Sequence, residues 1–288
     1  GAEMGGIPDS SLAEISFFVH NTGNHHYESY RFSDSFRDSV ISTDRIYQKL
    51  SRHAHLCRRF IYLSTAYTVG DRVRDRVVLE CIHPPGDGMN AFQSARWMSE
   101  RNLLIASQAS RLPVTVIRPS TVVGHSLSGW GGDLYNGVYT LWEFLRQCNL
   151  AGGNAVTLPI DPADEFNLIP VDAMLDTVAL SLTVNPCEHF LILHSTSTSN
   201  TSVRQCIEVA EELIPVRVRF ATDDSEDVPD IYGLLMDRLD FCGRNVRFRS
   251  EKLRELTKDA PSAYRMDTSV LGNLLRRFLI QPTQEIYD

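Results

Sequence analysis

Apolar and polar positions along this chain switch repeatedly between a period of two and a period near 3.6. Residues 15–20 (ISFFVH) are almost wholly apolar, the pattern of a strand buried on both faces. Residues 34–50 take up helical spacing, with Phe36, Val40, Ile46 and Leu50 on one face. A second strand is predicted at 60–63, running into Ser64-Thr65-Ala66-Tyr67, and the charged, then Pro/Gly-rich segment 71–88 reads as a surface loop. From Asn90 an amphipathic helix leads to a short turn at Arg111-Leu112-Pro113, and a β-branched run, 114–117, closes on Arg118-Pro119. A helix feeding a strand in this way is one step of an α/β sheet. Farther on, a helix is predicted at 138–148 with Leu141, Trp142 and Leu145 inward. Asp172 caps another at 173–182, and a last sheet strand covers 190–194. Segments then alternate as helix 203–213, strand 216–220, helix 231–241 and helix 271–279.

Composition narrows the classes. The chain has 288 residues, 43% hydrophobic and 22% charged, ordinary values for a globular protein with ample core. Its net charge of −8 argues against nucleic acid, because phosphate binding needs a positive field. The one basic stretch, 45–59 with Arg45, Lys49, Arg52 and Arg58, reads as a solvated helix face, with an acidic carrier protein as the sharper alternative. Six cysteines lie scattered, without a C-x-x-C pair or a His at metal-ligand spacing, so neither a disulfide framework nor a metal site is expected. No apolar run is long enough to cross a bilayer and no signal-type start is visible; the expected location is cytoplasmic.

The stretch 90–124, NAFQSARWMSERNLLIASQASRLPVTVIRPSTVVG, carries the chemistry. It resembles the active-site helix and following strand of the extended short-chain dehydrogenase/reductase family, in its fatty acyl and thioester reductase branch. That branch carries N-x-Y-x-x-x-K-W-x-x-E and then R-P-S-x-V-x-G. Asn90, Trp97, Glu100, Arg118, Pro119, Ser120, Val122 and Gly124 match, whereas Phe92 stands at the tyrosine and Arg96 at the lysine. Two further segments fit the branch, F-x-Y-x-S-T-A-Y at 60–67 and N-x-I-P-V-D at 167–172, with His20-Asn21-Thr22-Gly23 in place of the motif after the fourth strand. Phenylalanine has no ionisable group, so no environment turns it into a general acid. Arg96, one helical turn on, presents a permanent charge able to hold phosphate or carboxylate without replacing the phenol.

The resemblance implies a partial Rossmann-like parallel sheet lacking the N-terminal cofactor-binding half, within residues 1–200, with a substrate-side insertion near 125–160. A smaller, mostly helical substrate-side domain follows over 201–288. Gly5-Gly6, the glycines of 129–132 and Gly152-Gly153 neither follow a buried strand nor open a helix, so no pyrophosphate cradle is visible. No cofactor is therefore expected, NADP entering only if the missing half is supplied elsewhere. The strand at 15–19 would be an apolar edge, to be covered by a second copy, by a partner chain or by the N-terminal residues folding back. Candidate catalytic residues are Thr65, His25, His26 and Arg96, with Phe92 and Arg96 as a degenerate dyad. Ser120, His125 and Trp130 are the candidate substrate contacts. Three functions remain in view. The first is non-redox handling of an acyl thioester on a carrier protein or coenzyme A, by cyclisation or release in natural-product assembly. The second is an interaction subunit without catalysis, and the third a reductase whose cofactor half lies elsewhere.

Overall fold

The computed structural model describes residues 8–23, 29–70, 77–131, 137–183, 188–221, 245–257 and 264–281. Its centre is a four-stranded parallel sheet whose strands follow chain order: β1 (Phe17–His20), β2 (Arg59–Leu63), β3 (Val114–Pro119) and β4 (Phe190–Ser195). Register runs Phe18 to Phe60, Ile61 to Thr115 and Arg118 to His194. Every residue of β2 and β3 is buried, which is what their unbroken apolar runs require of a sheet covered on both faces. The run at 15–20 behaves differently. Its last four residues form β1, and Val19 is 41% exposed, because β1 is the edge strand among the described residues. An apolar sequence cannot by itself distinguish an edge from the middle of a sheet.

Helical spacing at 34–50 gives a helix of mixed winding. Phe32–Ser35 is α, Phe36–Ile41 is a π-helical stretch, and α1 (Ser42–His53) restores the regular pitch. The widened turns bury Ser39 and Val40, and such π segments recur at functional sites. α1 packs Tyr47 and Leu50 into a core with Phe60, Tyr62, Val114, Val116, Leu103 and Ile192. The Tyr47 hydroxyl donates to Leu112 O at 2.6 Å and its ring meets Phe60 edge-on. α2 (Ala91–Gln108) begins at a capping box: the Asn90 side chain accepts from Gln93 N at 2.8 Å, and Gln93 Oε1 accepts from Asn90 N at 3.0 Å.

Contacts divide the chain into two units interleaved in sequence, one of residues 1–120, 175–196 and 248–262, the other of 121–174, 197–247 and 263–288. The second has its own core, in which the helices Val138–Leu150, Val203–Leu213 and Thr268–Leu279 enclose Leu141, Trp142, Cys206, Leu274 and Phe278. Three short strand pairs flank it: Thr121–Val123 with Leu168–Pro170, Ala155–Leu158 with Arg217–Phe220, and Glu165–Phe166 with Thr201–Ser202. The helix expected at 231–241 lies outside the described residues. Asp172 is not the cap expected of it. Its helix, Val171–Thr183, already includes it, and its carboxylate accepts instead from Ser126 N at 2.9 Å and Ser126 Oγ at 2.6 Å. Among the described residues no helix is long and apolar enough to cross a membrane, and no His/Cys/Asp/Glu group is arranged to hold a metal.

Candidate active site at the carboxyl edge of the sheet

α2 lays Phe92, Arg96 and Glu100 along one stripe, each one turn from the next, and all three are buried. Glu100 forms a fully buried two-point ion pair with Arg118 of β3, Nε to Oε1 at 3.0 Å and a second nitrogen to Oε2 at 2.5 Å. Arg118 also donates to Cys81 O at 2.9 Å. One turn nearer the sheet's carboxyl edge, Arg96 has no such partner among the described residues. One guanidinium nitrogen donates to Leu63 O at 2.9 Å, Tyr62 Oη at 3.2 Å and Thr22 O at 3.2 Å, all neutral oxygens. Its carbon sits 5.2 Å from the Phe92 ring centre and 5.7 Å from that of Tyr62. The charge is thus shared between two aromatic faces and the ends of two strands, while Arg96 Nε is buried with nothing to bind among the described residues.

Gly23 makes that approach possible. It adopts φ +134°, and a Cβ there would lie 2.7 Å from Ser39 Oγ and 3.0 Å from an Arg96 nitrogen. His20, at the end of β1, shares its Nε2 between Thr43 Oγ1 at 2.9 Å and Thr22 Oγ1 at 3.0 Å, with its ring stacked on Tyr62. Burial, with Arg96 nearby, pushes its pKa down to about 4, so it stays neutral at pH 7.

Buried polar atoms without partners among the described residues gather where the strands end. Ser64 Oγ and Thr68 Oγ1 follow β2, Ser120 Oγ follows β3, and His194 Nε2 and Thr196 Oγ1 are at the end of β4. Register sets Arg118 beside His194, so Ser120 falls next to Thr196 on the same sheet face two residues on. His194 donates its Nδ1 proton to Arg249 O at 2.6 Å, which leaves Nε2 as a bare acceptor, and burial holds its pKa near 3. Orphaned polar groups are rare in folded proteins and mark places where a polar ligand or water belongs.

The candidates read from the sequence fall into separate places. Thr65 is buried and its hydroxyl accepts from Tyr67 N at 3.3 Å. Phe92, Arg96 and Ser120 belong to the same unit as Thr65. His125 and Trp130 belong to the other: His125 Nδ1 accepts from Leu127 N at 3.2 Å, and Trp130 is 57% exposed. His25 and His26 lie outside the described residues. Sequence reasoning missed Tyr62, His20, Thr22 and His194. Position in the motif after the first described strand was a usable signal for His20 and Thr22, and alternation through F-x-Y-x-S, which puts Tyr62 and Ser64 on one face of β2, was one for Tyr62.

Comparison with known proteins supplies a correction. The family described as Male sterility protein, an NAD-binding one, matches residues 8–178. No curated protein matches the chain. Among solved structures, the terminal R domain from the myxalamid PKS-NRPS biosynthetic pathway superposes with TM-score 0.71 at 17% identity, over 94% of this chain and 69% of that one. MoeE5 in complex with UDP-glucuronic acid and NAD gives 0.67 at 17%, over 93% and 80%. A Tyr-to-Phe mutant of UDP-glucuronic acid 4-epimerase from Bacillus cereus, in complex with a fluorinated sugar nucleotide and NAD, gives 0.64 at 11%, over 94% and 77%.

An NAD-binding family and NAD-bound neighbours overturn the expectation of no cofactor. That expectation equated a nucleotide site with a glycine cradle and a phenol. The residues present fit part of the group: Arg96 Nε, Ser64 Oγ and Ser120 Oγ are buried, unspent hydrogen-bonding atoms of the kind a ribose or carboxamide satisfies. Among the described residues no glycine loop joins a buried strand to a helix start, so these residues offer the pyrophosphate no cradle.

Proposed function

We propose, for a chain that belongs to the NAD-binding male sterility protein family, the fatty acyl and thioester reductase branch of the extended short-chain dehydrogenases/reductases, that it holds a nicotinamide nucleotide and an acyl thioester but does not reduce the thioester. The observation that carries this is Phe92, buried against the Arg96 guanidinium where the family keeps its phenol. A nicotinamide, when bound, supplies hydride chemistry. Arg96 Nε, Ser64 and Ser120 would hold its ribose and carboxamide. No group at position 92 can deliver the proton that a substrate oxygen needs as it accepts hydride. The Tyr-to-Phe epimerase, which retains NAD, supports nucleotide binding in this fold by a chain that has exchanged a tyrosine for phenylalanine.

What remains is acyl transfer. The Thr65 hydroxyl, at the end of β2, donates to the thioester carbonyl and polarises it. A nucleophile within the acyl chain attacks, the C–S bond breaks, and the thiol leaves with the proton the nucleophile gave up. No electron pair passes to a cofactor. The acyl group is carried on a carrier protein or on coenzyme A, as suits a relative of a biosynthetic R domain. The exposed edge of β1 is covered by a second copy or a partner strand, which light scattering tests, since a monodisperse monomer contradicts it.

A second reading, an interaction subunit, is favoured by Arg96, whose hydrogen bonds among the described residues go to this chain's own oxygens. The test is to titrate NADPH and NADH by calorimetry, then to incubate the protein with acyl-coenzyme A and acyl-pantetheine thioesters. Absorbance at ~340 nm reports cofactor oxidation and mass spectrometry the products. Nucleotide binding with free thiol and no oxidation is expected. Oxidation with aldehyde or alcohol overturns the proposal in favour of a reductase, and binding without thiol release favours the interaction subunit.

A further inference from the structure

Away from the sheet's carboxyl edge, α1 turns a different face outward. Thr43, Tyr47 and Leu50 point into the core, while Arg45, Gln48, Lys49, Arg52 and His53 line a polar cleft of about 210 Å³ together with Asp9. Positions 45, 48/49 and 52/53 are three and four residues apart, so they form one stripe two turns long. Among the described residues Asp9 is the cleft's single carboxylate. It pairs with Lys49 at 3.1 Å and His53 at 3.8 Å, and these neighbours hold its carboxyl below the usual range. Arg45 and Arg52 have no ion-pair partner among the described residues. A chain with net charge −8 therefore concentrates three permanent cations against one anion on one helix face.

We infer that this cleft docks an acidic helix of another protein, whose carboxylates displace Asp9 from Lys49. Three features select that occupant. The cations follow a helical stripe over ~10 Å, about 1.5 Å per residue, and a partner helix repeats carboxylates at the same pitch. The stripe runs toward the carboxyl end of α1, where the helix dipole is negative and no free backbone N–H is available, so a small phosphate gains nothing from the backbone. Among the described residues the lining holds no Phe, Tyr or Trp ring to stack a base and no apolar side chain to enter a bilayer. Asp9 is then a placeholder that sets the threshold for docking. This inference is independent of the thioester reading and survives its failure.

The full chain is titrated, by fluorescence anisotropy at low ionic strength, with a labelled helical peptide bearing Glu at i, i+4 and i+7, and with its Gln counterpart. The Glu peptide is expected to bind and the Gln peptide not. Asp9→Asn should tighten binding, and the exposed Arg45→Glu/Arg52→Glu pair should weaken it by roughly 10-fold or more, the scale of two reversed surface charges. Binding should fade as salt shortens the screening length. Equal binding of the Gln peptide, indifference to Arg45→Glu/Arg52→Glu, weakening by Asp9→Asn, or displacement by inorganic phosphate, ATP or anionic vesicles at matched ionic strength would each overturn the inference.

Discussion

Glu100→Gln is the most informative single change, because it separates what the preserved motif does for the fold from what it does for chemistry. Both side chains of the Glu100–Arg118 pair are wholly buried, and two of the three hydrogen bonds from the Arg118 guanidinium end on that carboxylate. The neutral amide keeps one acceptor oxygen but turns an NH2 toward the guanidinium, leaving a desolvated cation with no counter-charge. Removing one member of such a pair costs about 3–5 kcal/mol, since the charge left behind has already lost its water. At about 2–4 °C per kcal/mol for a chain of this size, the unfolding midpoint should fall by roughly 6–20 °C. Far-UV circular dichroism against temperature measures the shift. Replacing both partners, Glu100→Met with Arg118→Met, should recover most of it, because two hydrophobes of similar volume need no counter-charge. A loss below about 1 kcal/mol for Glu100→Gln, the level of an exposed pair, would refute the reasoning.

Gly23→Ala combines a φ of +134° with a Cβ 2.7 Å from Ser39 Oγ and 3.0 Å from an Arg96 nitrogen. It should cost about 1–3 kcal/mol in urea denaturation, and a neutral result would mean the Gly23–Arg96 approach is unimportant. His20 has its pKa lowered from 6.5 to about 4, chiefly by burial and then by Arg96. A depressed folded pKa gives stability that is complete above the unfolded value and is lost as pH falls through the folded one. Between pH 6.5 and 4 this is worth about 3 kcal/mol at 1.36 kcal/mol per unit. His194 titrates over the same range and slightly below, to about 3, so the measurement is the difference between wild-type and His20→Asn stability curves, which should narrow as pH falls across that window. Asp172→Ala removes both hydrogen bonds to Ser126, so limited proteolysis within 124–131 should accelerate; an unchanged rate would show that the loop is held by other contacts.

The four strands of the central sheet and most helices were legible because burial on a sheet or one helix face writes itself as a period, whereas short strands such as Val77–Val78 and Ala155–Leu158 are too short to show one. The 34–50 segment was legible as helical but not as π-wound, since one extra residue per turn over six residues leaves the apolar spacing nearly unchanged. Asp172 was misread because an acidic residue before a helix is ordinarily its cap, and nothing local announces that Ser126, 46 residues away, takes the carboxylate. Phe92 and Arg96 stood out only against a family pattern. Thr22 and Tyr62 reach Arg96 from strand ends far apart in sequence, and an orphaned Nε or hydroxyl has no signature in sequence at all.

The positions that match the family and those that depart from it divide along a physical line. Asn90 caps α2, Trp97 donates to His83 O at 2.8 Å, Glu100 and Arg118 form the buried pair, and a Cβ on Gly124 would lie 2.7 Å from Gly129 O. Each of these preserved residues has a structural task here, one that a substitution would disrupt whatever the reaction. Within the 90–124 motif, Phe92 and Arg96 are the two positions whose family side chains serve the reaction alone, and they are the two of that motif that differ. A scaffold stays intact around an altered proton donor when stability still constrains a chain and hydride transfer does not. Restoring the donor tests this directly. In Phe92→Tyr/Arg96→Lys, NADPH oxidation coupled to aldehyde formation should rise from background, because the surrounding scaffold is unchanged; if wild type already oxidises NADPH as fast, the donor was never the missing part.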